Sequence, residues 1–164
     1  LLAALPALDV RELPALLRFK AQNDFRSPLE GERRRDPFLA ICLHILRHCH
    51  RLTTFGVFDT QGSIVGYATL VCGGHRYSKN IHVANVAVGE SERGKGLGTL
   101  LLDRAESFAR QEHARRIELE VFGSNDKAIA LYKRLGYEVE GVKRRVVESE
   151  HGFDDLVLMA KLLN

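Results

Sequence analysis

The sequence predicts a single mixed α/β domain built around one central sheet, and three observations support this prediction. The chain has 164 residues, of which 45% are hydrophobic and 27% charged, and these are ordinary values for one globular domain. Apolar residues change from helical to strand spacing near residue 52, and strand and helix patterns then alternate. No repeat, low-complexity segment or linker divides residues 1–164, so we expect one domain.

Helices are predicted in the first 50 residues. Asp9 can cap a helix that continues through Leu17, and apolar residues recur at helical spacing between Phe38 and His50. The intervening polar segment, 22–37, contains two prolines and a glycine, so it is predicted to be a loop or a short helix.

Three strands are predicted next. Residues 53–59 and 64–72 have strand composition and are joined by the turn sequence Thr60–Ser63, so they are expected to form a hairpin. After the break at 73–75, residues 81–88 form a nearly unbroken run of β-branched and small apolar side chains, which is typical of a buried central strand.

The second half of the chain alternates helices with strands. A helix cap is predicted at Ser124 or Asn125, and Gly136 is predicted to end the helix that follows. Helices are predicted at about 97–112 and 125–135. Strands are predicted at about 117–122, 137–147 and 153–162. The order of these elements therefore indicates one mixed α/β domain.

Charge and cysteine content exclude several classes of protein. The net charge of +3 is too small to indicate nucleic-acid binding, and no face interleaves basic with aromatic residues. An odd number of irregularly spaced cysteines argues against a secreted, disulfide-held fold, so the cytoplasm is the expected compartment. No apolar run reaches the roughly 18 residues of a membrane span, so no membrane partner is expected.

A zinc site is the sharper interpretation of His44 and His48, which lie four residues apart near Cys42 and Cys49. The glutamate of the HExxH motif is missing because Ile45 follows His44, and no third ligand is evident. Exposed histidines on a core-facing helix are the preferred interpretation, and we expect no metal.

An anion-binding turn is predicted between the central strand and the helix that starts at residue 97. A helix that begins after a glycine-rich turn presents unpaired backbone N–H groups and a partial positive charge. Gly96 and Gly98 let the backbone approach phosphate oxygens, while Arg93 and Lys95 add positive charge. The alternative is a plain strand-to-helix connector.

Two nucleotide-binding motifs fail at this turn. Residues 89–95 match most of the phosphate loop GxxxxGK, but Gly96 stands where Ser or Thr would hold magnesium. Two glutamates inside the turn would also repel a triphosphate. The dinucleotide motif GxGxxG fails at Thr99. The pattern that remains is Arg-x-x-Gly-x-Gly.

Beyond this turn, the chain resembles the GNAT acetyltransferase superfamily in several segments that follow the family's order and spacing. Three signatures carry the resemblance. The first consists of residues 83–88 and 93–98, the second of 119–125 and 128–137, and the third of 140–143, Asp155 and 159–160. The resemblance covers about residues 53–162 and is nearest to ribosomal-protein N-terminal and amino-acid N-acetyltransferases. It implies the acyl-CoA N-acyltransferase fold, which has a central, mostly antiparallel sheet of about six to seven strands flanked by about four helices. Two adjacent strands of that sheet splay apart. The resemblance also implies acetyl transfer from acetyl-CoA. The acceptor would be a small-molecule or peptide amine that attacks directly, without a metal or covalent intermediate.

The resemblance also implies which residues hold acetyl-CoA. The pyrophosphate would lie on the amides of the glycine turn, and the pantetheine arm would pair with the preceding strand like an added β-strand. The family's asparagine, here Asn125, would touch that arm. The implied residues are Val86, Ala87, Val88, Arg93, Gly94, Lys95, Gly96, Leu97, Gly98, Thr99 and Asn125.

One amide and three side chains are the candidates for the chemistry. By the resemblance, the Val86 amide would stabilise the tetrahedral intermediate, and Tyr132 would protonate the leaving thiolate. Glu120 and His82 compete as the base, and the ordinary pKa of histidine suits that role. The alternatives are core packing for Tyr132, an exposed strand carboxylate for Glu120 and a hydrogen-bonded strand-end histidine for His82.

The sequence leaves the acceptor and the oligomeric state open, although many proteins of this kind form homodimers. A nonenzymatic acyl-CoA sensor on the same fold is the second functional hypothesis, and the presence of Tyr132 and Glu120 argues against it. The basic runs 33–35 and 143–145 are interpreted as solvated surface, or alternatively as contacts for the CoA 3′-phosphate or an acidic substrate.

Overall fold

The structure is a computed structural model that describes residues 51–72, 79–149 and 152–163. The predictions made for residues 1–50 and for the break at 73–75 lie outside the described residues. They include the two N-terminal helices, the His44 and His48 pair and the basic run 33–35.

Six strands and two α-helices form the described part of the chain. The strands are β1 (Arg51–Phe58), β2 (Ile64–Cys72), β3 (Asn80–Val88), β4 (Arg116–Phe122), β5 (Glu138–Ser149) and β6 (Gly152–Leu162). The helices are α1 (Leu97–Gln111) and α2 (Asp126–Arg134), with a short 3-10 helix at Glu90–Glu92. Each element predicted within these residues is present, so the periodicity argument is confirmed for them.

All six strands belong to one sheet, in the order β1-β2-β3-β4-β6-β5. Every neighbouring pair is antiparallel except β3 and β4, which run parallel. Parallel neighbours need a crossover connection, and α1 supplies it. The predicted mostly antiparallel sheet is therefore confirmed.

The main core lies between the sheet and the two helices. Along β4 the side chains alternate, so that Ile117, Leu119 and Val121 are buried while Glu118 and Glu120 are on the other face. The residues of α1 that are buried toward the sheet are Leu97, Leu101, Leu102, Ala105 and Ala109. This packing fixes the start of α1 beside the ends of β3 and β4.

The end of α2 is set by Gly136, as predicted. Gly136 has φ +86°, and its amide donates to the Lys133 carbonyl oxygen at 3.0 Å. The Tyr137 amide donates to the Tyr132 carbonyl oxygen, also at 3.0 Å, which completes a Schellman motif. The motif brings the rings of Tyr132 and Tyr137 to a centroid distance of 5.8 Å, and this contact helps to hold Tyr132 against the core.

The two parallel strands separate halfway along their length. Pairing between β3 and β4 runs from Asn80 opposite Arg116 to Val83 opposite Leu119. Both strands then continue without pairing to each other, β3 to Val88 and β4 to Phe122. This confirms the splayed strand pair.

Candidate active site

The separation of β3 from β4 opens a cleft of about 600 Å³. The cleft is lined by both strands, by the glycine turn and by α2. The predicted site residues in its lining are Val86, Val88, Arg93, Gly94, Gly96, Leu97, Gly98, Thr99, Glu120, Asn125 and Tyr132. Three other predicted residues, Ala87, Lys95 and His82, are not part of the lining.

A β-bulge at Ala84 precedes the amides that face the cleft. In β3, Val83 pairs with Leu70 and Asn85 with Thr69, so Ala84 has no partner in β2. Farther along, the Gly89 amide donates to the Val65 carbonyl oxygen of β2 at 2.9 Å. Backbone groups alternate in direction along a strand, so the amides of Val86 and Val88 point the other way, toward the cleft.

The glycine turn has an open surface over its backbone. Gly94 and Gly96 have φ of +80° and +82°, a conformation that glycine adopts without steric cost. A Cβ at either position would meet nothing within 4 Å. Gly96 is the N-cap of α1 and offers no side-chain cap hydrogen bond. The first amides of α1 therefore remain available to an anion.

The two predicted cations of the turn differ in their contacts. The Lys95 Nζ forms an ion pair with the Glu92 carboxylate at 2.9 Å. The Arg93 Nε donates to the Val88 carbonyl oxygen at 3.4 Å, and Arg93 lines the cleft. Arg93 is therefore the better placed of the two to meet a ligand in the cleft.

Gly98 has a packing role that the sequence did not indicate. A Cβ at this position would lie 3.1 Å from Cδ2 of Leu131 in α2. Glycine therefore lets α2 approach the first turn of α1, and the distance between these two walls of the cleft depends on it.

The turn between β4 and α2 is fastened to β6. Asn125 caps α2, because its Oδ1 accepts from the Ala128 amide at 3.1 Å. The Ser124 hydroxyl donates to Oδ2 of Asp154, and the Ser124 amide donates to Oδ1 at 3.2 Å. Of the two residues predicted as caps, Asn125 is the N-cap of α2, and Ser124 instead connects the turn to β6 through its hydrogen bonds with Asp154.

With this geometry established, comparison with known proteins identifies the family. The sequence pattern of the Acetyltransferase (GNAT) family matches residues 19–137. The chain belongs to the GNAT family. The resemblance found in the sequence is therefore confirmed.

Several proteins are similar to this GNAT chain. A candidate ribosomal protein bS18-alanine N-acetyltransferase of Bacillus subtilis is 30% identical over 102 residues, which are 62% of this chain and 64% of that protein. Streptothricin acetyltransferase of Streptomyces lavendulae is 30% identical over 54% of this chain and 46% of its own length. The chain thus spans less than two thirds of these two relatives.

A solved structure has a similar fold. The ribosomal-protein-S18-alanine N-acetyltransferase of Escherichia coli superimposes with a TM-score of 0.78 and covers 98% of this chain and 94% of its own. Its sequence identity is 21%, so the likeness shows the fold alone.

Tyr132 of this GNAT chain is buried, with 9% of its surface exposed, and it lines the cleft. Burial raises the pKa of Tyr132 to about 12. A phenol with this pKa keeps its proton at neutral pH, so Tyr132 is a hydrogen-bond donor there. Core packing and a role in the cleft are thus compatible for this residue.

The two candidate bases lie close together on the sheet face opposite α1. Glu120 lines the cleft, and its Oε1 accepts a hydrogen bond from the Lys143 Nζ at 2.7 Å. His82 is opposite Glu118 in the parallel ladder. Burial lowers the pKa of His82 despite the opposing charges of Glu118 and Glu120, so its imidazole is neutral at pH 7.

Three contributions to the site were not predicted. Lys127 and Arg134 line the cleft, and their spacing from Leu131 on α2 could have placed them on the same helix face. Asp154 has no local signal, because its partner Ser124 is 30 residues away.

The described residues contain no group of three or more His, Cys, Asp or Glu side chains that could hold a metal ion. Within the same residues, no helix is long and apolar enough to cross a membrane.

Proposed function

We propose that this chain is an acetyl-CoA-dependent N-acetyltransferase that acts on a primary amine by direct attack. The observation that carries the proposal is the cleft between β3 and β4. One wall presents the amides of Val86 and Val88, the other presents Asn125 and Tyr132, and the glycine turn lies in the same lining. Membership in the GNAT family supports acetyl-CoA as the donor.

The residues of the cleft suit the parts of acetyl-CoA. The amides at the start of α1 and Arg93 would hold the pyrophosphate, since the open surface over Gly94 and Gly96 admits a phosphate. The Val86 and Val88 amides would pair with the amide groups of the pantetheine arm, as an added strand does. Acetyl-CoA supplies the activated acetyl group as a thioester.

Glu120 is proposed as the base because it lines the cleft, whereas His82 does not. Glu120 would accept one proton from the protonated amine, which leaves a lone pair on the nitrogen for attack on the acetyl carbon. The second proton, which the nitrogen loses as the amide forms, would go to the departing thiolate. Tyr132 would donate a hydrogen bond to the sulfur as the carbon–sulfur bond breaks. The Val86 amide would donate to the carbonyl oxygen as negative charge develops on it. His82 remains the second candidate base, since its imidazole is neutral and close to Glu120.

The acceptor is proposed to be a primary amine that is protonated in solution. The names of relatives refer to an alanine of a ribosomal protein and to streptothricin, and both descriptions are consistent with an amine acceptor. In this chain Glu120 lines the cleft, and its carboxylate offers a hydrogen-bond acceptor to an ammonium group.

The proposal is tested with a panel of amines and acetyl-CoA, following the release of free thiol. The panel contains a peptide that begins with alanine, streptothricin and spermidine. We expect turnover on at least one amine, and little turnover by Glu120→Gln on that same amine. Tight binding of acetyl-CoA without turnover on any amine would instead support the nonenzymatic sensor and overturn the enzymatic proposal.

Three broader statements remain predictions. We predict a single domain over residues 1–164 and a cytoplasmic location, and a homodimer is compatible with the family. Sedimentation and limited proteolysis of the full chain test the first and the last of these.

A further inference from the structure

Helix α2 places two positively charged side chains on the wall of the cleft. Lys127 and Arg134 are exposed, and both line the cleft. Within the described residues neither forms an ion pair, whereas Lys95 is paired with Glu92 and Lys143 with Glu120. The two α2 cations are therefore available to an anionic ligand.

Their position follows from helix geometry. Leu131 is the residue of α2 that packs on Gly98 in the first turn of α1. Lys127 precedes Leu131 by four residues and Arg134 follows it by three, so all three share one face of α2. The two cations consequently flank the contact between α2 and the turn that is proposed to hold the pyrophosphate.

The location of Lys127 is unfavourable for the helix itself. Lys127 lies in the first turn of α2, where the helix dipole disfavours a positive charge. Arg134 lies in the last turn, where a positive charge is favoured. Helix stability therefore explains why a positive charge is present at Arg134 but not why one is present at Lys127. Binding of an anionic ligand explains both.

We propose that Lys127 and Arg134 bind the 3′-phosphate of CoA and make the cleft selective for CoA over dephospho-CoA. This inference rests on the proposed function. CoA carries a terminal phosphate in addition to its pyrophosphate, and the turn amides with Arg93 already serve the pyrophosphate. The basic run 143–145 is less suitable, because Lys143 contacts Glu120 and the Arg145 guanidinium lies 4.8 Å from the centroid of the Phe153 ring.

The test compares the affinities of CoA and dephospho-CoA by calorimetry for the wild-type chain, Lys127→Ala, Arg134→Ala and the double variant. Lys133→Ala is the matched control, because Lys133 is in the same last turn as Arg134 but does not line the cleft. Each single cleft variant should bind CoA about three- to tenfold more weakly, with a smaller loss at high salt. Binding of dephospho-CoA should be unchanged, and Lys133→Ala should bind both ligands as the wild type does.

Two results would overturn the inference. An equal loss of affinity for both ligands would place the cations at the pyrophosphate, and no loss for either would make them solvated surface. The charge-conserving variants Lys127→Arg and Arg134→Lys should retain most of the selectivity, which guards against a loss that reflects helix stability alone. Failure of the proposed function gives a different result, since a wild-type chain that binds neither ligand has no CoA site.

Discussion

Gly96 and Gly62 form a matched pair for separating ligand binding from backbone strain. Gly96 has φ +82° and Gly62 has φ +79°, and a Cβ at either position meets nothing within 4 Å. Gly62 lies in the turn between β1 and β2, outside the lining of the cleft, whereas Gly96 is part of that lining. The same substitution should therefore cost the same backbone strain energy at the two sites, but only at Gly96 would the new side chain meet the ligand.

The magnitude of this cost follows from the backbone conformation. An L-residue in the left-handed region loses about 1–2 kcal/mol, and the open space at both sites adds no clash. A domain of this size loses about 2–4 °C in Tm for each kcal/mol. We therefore expect Gly96→Ala and Gly62→Ala each to lower Tm by about 2–8 °C, with similar values for the two.

Binding of acetyl-CoA should separate the two sites. At Gly96 a Cβ would occupy the surface proposed for the pyrophosphate, so Gly96→Ala should weaken binding by about tenfold, which corresponds to about 1.4 kcal/mol. Gly96→Asp adds a negative charge and should weaken binding by about a hundredfold or more. Gly62→Asp should bind as the wild type does, and calorimetry measures each affinity. If Gly96→Asp and Gly62→Asp bind acetyl-CoA within twofold of each other, the turn is not the phosphate site.

Other predictions concern the chemistry and its supports. Tyr132→Phe should lower kcat by about tenfold or more while the affinity for acetyl-CoA stays within twofold, and an unchanged kcat would remove Tyr132 from the reaction. Glu120→Gln should lower kcat more than His82→Gln does, and the reverse order would make His82 the base. Burial holds the pKa of His82 in the folded chain below 6.5, so the unfolded chain binds the proton more readily. The free energy of unfolding therefore falls as the pH drops below 6.5. His82→Gln removes this group, so its free energy of unfolding should depend less on pH in the acid range. Asp154→Ala and Ser124→Ala should each raise KM for acetyl-CoA by about two- to fivefold, and the double variant should show less than the product of the two effects, because both substitutions remove the same side-chain hydrogen bond.

Sequence patterns were sufficient where the structural signal is local. Gly136 ends α2 because only a few residues adopt its backbone conformation easily, and this preference is visible in the sequence. The choice between Ser124 and Asn125 as the cap was not local. Both residues are good caps, and in the structure Asn125 caps α2 while the Ser124 hydroxyl donates to Asp154, far along the chain.

Features that depend on how β-strands pair with each other cannot be predicted from local sequence patterns. Residues 81–88 were predicted to be a nearly unbroken buried run, but Ala84, Asn85 and Val86 are only partly buried. The bulge at Ala84 and the loss of pairing with β4 leave these residues at the cleft. Register is decided by both neighbouring strands, so the composition of β3 alone does not reveal it.

The pairing of Glu120 with Lys143 illustrates the same limit. Their strands, β4 and β5, are not neighbours, because β6 lies between them in the sheet. The Lys143 side chain therefore reaches across β6 to meet Glu120. In the sequence Lys143 belongs to a basic run that is interpreted as solvated surface or as a phosphate contact. Lys143 is exposed in the structure, and its contact with the Glu120 carboxylate has no local signal in the sequence.

The raised pKa of Tyr132 limits what this residue can do in the proposed reaction. A thiol with an ordinary pKa near 8.5 is a stronger acid than a phenol with a pKa of about 12, by about 3.5 units. Complete transfer of the Tyr132 proton to a thiolate is thus uphill by about 5 kcal/mol. A hydrogen bond from Tyr132 to the sulfur does not have this cost, and it stabilises the negative charge that develops there. We therefore expect the kcat of the wild-type chain to show no loss near pH 9 that depends on Tyr132. A loss near pH 9 that is absent in Tyr132→Phe would show instead that the tyrosine has a lower pKa and acts as a full proton donor.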